Sequence, residues 1–67
     1  MDVYNLLKQY VDDPSSVTAT QLEDAMSYMY TLIPTRRNQR LIASLMSIEA
    51  GSEGNVPTLL HFYETES

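Results

Sequence analysis

Apolar residues recur three and four positions apart in four stretches of this chain, separated by clusters of turn-forming residues. That period marks amphipathic helices rather than strands. Val3, Leu6, Leu7, Tyr10 and Val11 form the first stripe, with Asp2 placed to cap its free amides and Pro14 to stop it. The spacing predicts a helix over 3–12. The second helix, over 19–33, carries Leu22, Ala25, Met26, Met29, Leu32 and Ile33 up to Pro34. Thr18 with Gln21 fits a capping box, and Val17 with Leu22 fits a hydrophobic staple; Thr20 with Glu23 is a competing box.

A third helix, over 36–50, follows Pro34 with Thr35 as its cap. Its apolar face is Leu41, Ile42, Leu45, Met46 and Ile48, and Gly51 supplies the stop. The last segment, over 56–65, places Val56, Leu59, Leu60 and Tyr63 on one helical stripe, with Asn55 as cap and Pro57 in the first turn. A strand is the alternative there, because the segment is short and Phe62 breaks the pattern. No hairpin signal occurs elsewhere, so the expectation is all-α: a single small domain, an up-down bundle of three to four short helices.

Length changes the picture next. A chain of 67 residues has room for one core, and cores of this size are marginal without a staple. The chain has no cysteine and one histidine, which removes disulfides and thiolate metal sites. Neither a cofactor nor a metal is expected. The staple that composition leaves is association, either with a second copy or with a larger protein; a compact monomer is the alternative. The N-terminus has no basic stretch and no long apolar run, so no leader and no membrane span is expected. Cysteine-free composition fits the cytoplasm.

Charge is distributed unevenly. Nine acids set the net charge at −5, yet three of the four basic residues, Arg36, Arg37 and Arg40, fall within five positions. Arginines in the first turns of a helix oppose its macrodipole. The tight corner at Pro34 and Thr35 offsets this by bringing Arg36 and Arg37 toward the carbonyl end of the second helix. In an up-down bundle the same pole also receives Asp2, Glu64 and Glu66, while Asp12, Asp13, Glu23 and Asp24 lie at the other. An antiparallel or head-to-tail homodimer would bring the basic corner of one copy against the acidic pole of the next.

Catalytic chemistry finds little support. His61, the only imidazole, lies on the terminal segment, and the neighbouring pairs Asp12–Asp13 and Glu23–Asp24 point about 100° apart on a helix. A metal set of His61, Glu64 and Glu66 would lie on a helix end. Both glycines belong to one turn, so no phosphate loop exists. An enzyme is not expected.

Binding is the function class that remains. Tyr28 and Tyr30 cannot both face the stripe of Met26, Met29 and Ile33, so at least one is exposed near the arginines. Tyrosine and arginine are the residue types enriched at binding hot spots. The reading is a non-enzymatic protein–protein interaction module, a small regulator or inhibitor that binds a larger protein or itself through Arg36, Arg37, Arg40, Tyr28 and Tyr30. Small size and acidity also match regulators carried by phages and other mobile elements, an association of composition rather than of any residue. The alternative is a small helix–turn–helix-like DNA-binding regulator. Arg, Asn and Gln in "TRRNQR" are base-reading types, but an acidic chain repels phosphate and the corner holds proline where a glycine turn is usual, so nucleic acid is the weaker partner.

Overall fold

The protein is described by a computed structural model over residues 1–66, which form four α-helices and two 3₁₀ turns. Helix α1 spans Val3–Asp12, α2 Ala19–Met29, α3 Arg36–Glu49 and α4 Val56–Thr65, with single 3₁₀ turns at Pro14–Ser16 and Glu53–Asn55. No strand occurs among the described residues, and none of their helices is long and apolar enough to cross a membrane. The final segment is therefore a helix. Pro57 sits in its first turn, where a missing N–H breaks no helical bond.

Capping chemistry sets most of the boundaries. The Asp2 carboxylate accepts from the Asn5 amide at 3.0 Å, and the Thr35 hydroxyl accepts from the Asn38 amide at 3.1 Å. At α2 the reciprocal box forms: Gln21 N–H donates to Thr18 Oγ1 at 3.1 Å, while Thr18 N–H donates to Gln21 Oε1 at 2.8 Å. Of the two boxes open to the sequence, the Thr18 one is used. Asn55, expected to cap α4, makes no side-chain capping bond. The preceding 3₁₀ turn runs directly into the helix and leaves Asn55 in helical geometry, unsuited to a capping side chain.

Helix α3 ends in a Schellman motif. Gly51 N–H donates to Ile48 O at 3.2 Å and Ser52 N–H to Ser47 O at 2.7 Å, with Gly51 at φ +76°. A Cβ added at Gly51 would meet no atom within 4 Å, so a substitution there tests backbone strain alone. Gly51→Ala is expected to lower stability by about 1 kcal/mol in urea unfolding. Gly54→Ala, equally unobstructed and without positive φ, is the matched control and should be neutral or slightly stabilising.

One core holds the four helices. It consists of Val3 and Leu7 from α1, Ala25 and Met29 from α2, Leu41 and Leu45 from α3, and Val56 and Leu60 from α4. Helix α3 is central: it packs on α1, α2 and most extensively α4, and α1 also packs on α4. The start of α1, end of α2, start of α3 and end of α4 share one pole, where Val3, Tyr28, Leu32, Asn38 and Tyr63 line a common depression. This is the up-down arrangement.

Three assignments of the apolar stripes are corrected. Helix α2 ends at Met29 rather than at residue 33, and Ile33 is 79% exposed instead of buried. Thr31 N–H and its hydroxyl both turn back to Tyr28 O, and Pro34 disfavours helical geometry at Ile33. Met46 is 55% exposed although the stripe placed it in the core. The inward face of α3 passes through Leu41, Ser44, Leu45 and Ile48, so Met46, one step round from Leu45, falls on the far side. Buried Ser44 donates its hydroxyl to Arg40 O at 2.9 Å, which satisfies it within the helix. Val11, the last apolar residue of α1, is also exposed.

Candidate interaction site

The arginines emerge from the first turns of α3 at the pole where α4 ends. Their fates differ. Arg37 donates from Nε to the backbone carbonyl of Tyr63 at 3.1 Å, and its guanidinium lies 4.2 Å from the centroid of the Tyr63 ring. Arg40 pairs with Glu66, with Nη2 at 2.8 Å and Nε at 3.3 Å from the same carboxylate oxygen, and sits 5.0 Å from the Phe62 ring centroid. Arg36 is exposed and has no ion-pair or hydrogen-bond partner among the described residues. Arg37 thus compensates the carbonyl end of α4, not that of α2 as the corner suggested. The physical reason is antiparallel packing: the start of α3 lies beside the end of α4.

Around this contact a network fixes the last turn of α4. Tyr63 stacks on Tyr4 of α1 with centroids 5.0 Å apart. The Tyr4 hydroxyl donates to Glu64, whose carboxylate also lies 3.8 Å from Lys8 Nζ. Donation from Tyr4 holds the Glu64 carboxyl below its ordinary range, with Lys8 adding to the effect, and the same bond pushes the Tyr4 hydroxyl up. A depressed carboxyl stabilises the fold above its unfolded pKa and loses that contribution as pH falls through the folded value. The stability difference between wild type and Glu64→Gln should therefore be present at neutral pH and shrink below about pH 4. Thermal melts across that range check it.

Glu64 and Glu66 thus go to different partners, and His61 lies in a tilted contact with Phe62, 6.3 Å between centroids. The three do not converge. Among the described residues no group of three or more His, Asp or Glu side chains is gathered as for a metal ion.

The tyrosines also divide. Tyr28 is half-buried against the core, while Tyr30, the C-cap of α2, is 70% exposed. The expectation that at least one would be exposed holds at Tyr30. The connection from Tyr30 to Thr35 then presents Ile33, and Asn38 Nδ2 donates to Ile33 O at 2.8 Å, tying this corner to α3 beside Arg36. Next to it opens a cleft of about 710 Å³, bordered by Thr35, Arg36, Arg37, Tyr63 and Glu66. Of the residues singled out by sequence, Arg36 and Tyr30 face solvent at this corner. Arg37, Arg40 and Tyr28 are engaged within the chain. Sequence reading missed Ile33, though the residue before Pro34 carried the signal, and it missed Tyr4 and Tyr63, whose pairing spans nearly the whole chain.

No protein-family model matches the chain, and neither a curated protein nor a solved structure matches it.

Proposed function

We propose that this chain is a non-enzymatic protein-interaction module that docks through the α2–α3 corner, with Tyr30, Ile33 and Arg36 as its contact residues. One observation carries the reading: Tyr30 and Ile33 are 70% and 79% exposed on a short connection that leads directly into Arg36, which has no ion-pair partner among the described residues. Large apolar side chains this exposed, grouped beside an arginine, have the composition of a binding hot spot. The partner is a protein surface with an apolar recess and a carboxylate beside it, which Arg36 grips with charge-assisted bonds. The proposed compartment is the cytoplasm, supported by the cysteine-free composition.

The helix–turn–helix alternative draws less support. Arg37 and Arg40 reach from α3 to the end of α4, which leaves Arg36 as the one base of the cluster without a partner among the described residues, free for phosphate or base edges. Too few phosphates would be neutralised for salt-dependent affinity.

The test is a pull-down from nuclease-treated lysate of the source organism, comparing wild type with a Tyr30→Ser, Ile33→Ser, Arg36→Glu variant. All three side chains are exposed, so the variant should keep its helical circular dichroism and unfolding midpoint. A protein band captured by wild type and lost from the variant supports the corner. Equal capture by both, or nucleic acid retained by wild type in a parallel pull-down from untreated lysate, overturns it.

A further inference from the structure

We propose that the outer face of α3 is a self-association seam on which a second copy of this chain packs antiparallel, centred on Ala43. Arg36, Gln39, Ala43, Met46 and Ala50 follow one another at spacings of three, four, three and four, the repeat of a coiled-coil seam. All five lie on the side of α3 turned away from Leu41 and Leu45. Arg36, Gln39, Met46 and Ala50 are exposed, and Ala43 is half-buried. This second, apolar-centred seam, beyond the one that faces the helix's own core, is unpartnered among the described residues.

Three observations choose a second copy as the occupant. First, the seam carries both halves of a knobs-into-holes contact. A groove of about 350 Å³ is lined by Arg36, Gln39, Arg40 and Ala43, the four positions that frame a hole on a helix surface. Met46, 55% exposed, is the knob. In an antiparallel pair centred on Ala43, Met46 of each copy comes level with Arg40 of the other, over that groove. Second, the centre is alanine, whose small side chain permits close approach of two helix axes. Third, the ends are complementary. Arg36 stands at the start of α3 and Glu49 at its end, and neither has an ion-pair partner among the described residues. Antiparallel packing sets Glu49 of one copy beside Arg36 and the free amides at the start of the other's helix, favourable for both charge and dipole. A parallel pair would oppose like charges at both ends.

The seam is one helix of 14 residues, about 20 Å long, so the contact belongs to the small, weak class of interfaces. The inference stands apart from the partner-docking corner. Arg36 is the one residue common to both, and the corner variant with only Tyr30→Ser and Ile33→Ser should dimerise like wild type.

Because the chain has no cysteine, single introduced thiols give a clean readout of register. Ala43→Cys brings two thiols together at the centre of the pair and should form a disulfide-linked dimer under mild oxidation. Ala50→Cys places them about 21 Å apart along the axis and should remain monomeric. Met46→Asp added to Ala43→Cys should abolish the cross-link while leaving the helical spectrum unchanged. Sedimentation equilibrium completes the test: Arg36→Glu and Glu49→Arg should each weaken the dimer about tenfold, with recovery in the double reversal. Equal cross-linking at 43 and 50 overturns the antiparallel register. Cross-linking that survives Met46→Asp, or a wild type monomeric up to millimolar concentration, overturns the seam itself.

Discussion

Leu45→Ala is expected to remove about 2–5 kcal/mol of stability, the largest effect of any single truncation considered for this protein. Leu45 lies at the centre of α3, the helix that packs on all three others, and is only 2% exposed. Truncation there deletes apolar contacts and leaves a cavity that the neighbouring helices cannot all close upon, because each is held by its own contacts elsewhere. A domain of this length has a total stability of about 3–10 kcal/mol at usual per-residue values, so the variant should sit near its unfolding transition at room temperature. The adjacent residue supplies the contrast. Met46→Ala, measured by urea unfolding at low-micromolar concentration so that a weak dimer would dissociate, should stay within about 0.5 kcal/mol of wild type. A large loss at Met46 would place it back in the core and remove the knob from the proposed seam.

The Met46 contrast shows where a hydrophobic pattern misleads. Reading α3 by residue type selects every Leu, Ile and Met, and so accepts Met46 and passes over Ser44. The helix selects by angle. Ser44 points inward and is tolerated because its hydroxyl returns to the carbonyl of Arg40, while Met46 points outward regardless of its affinity for an apolar environment. A similar limit applies at Ile33, which continues the α2 period perfectly in sequence. There the local rule about residues preceding proline outweighs the period, and the helix stops at Met29. Both signals were present in the chain, but periodicity is additive over many residues and overrides a single exception when it is read alone. Most capping residues, by contrast, were legible because each acts over three or four positions; Asn55, drawn into helical geometry by the preceding 3₁₀ turn, is the exception. Asp2, Thr18, Thr35 and Gly51 all behave as their local chemistry dictates.

The candidate site was legible in composition and not in geometry. That an acidic chain gathers its arginines in one place is visible at once, but which of them remain available depends on a helix 26 residues further on. Only the antiparallel packing of α3 on α4 brings Tyr63 and Glu66 to Arg37 and Arg40. Two of the three candidate arginines thereby become part of the fold, and Arg36 is left for the surface. Both proposals use this residual asymmetry: a corner with Tyr30 and Ile33 on one side of Arg36, a seam with Ala43 and Met46 on the other.

Tyr63→Ala is expected to lower stability by about 2 kcal/mol, the second large effect. The half-buried ring stacks on Tyr4 and lies under Arg37, so it joins the first turn of α1, the first turn of α3 and the last turn of α4. Conservative replacements divide that total. Tyr63→Leu keeps apolar bulk and removes the ring, and Arg37→Met keeps the stem and removes the guanidinium. Combined in a double-mutant cycle, they should show a coupling of about 0.5–1 kcal/mol, the contribution of a partly exposed cation–π contact. The bond from Arg37 to the Tyr63 carbonyl survives the side-chain replacement at 63, so the cycle isolates the ring. Urea midpoints should move while the slope of the transition stays constant, since the surface exposed on unfolding hardly changes. Coupling below about 0.3 kcal/mol would mean that ring and guanidinium act independently. Arg37 would then be held by one exposed hydrogen bond, weak enough for a carboxylate partner to displace, and it would rejoin Arg36 in the contact set of the corner. Coupling at the expected size keeps Arg37 in the fold and leaves Arg36 as the charge available to the proposed partner.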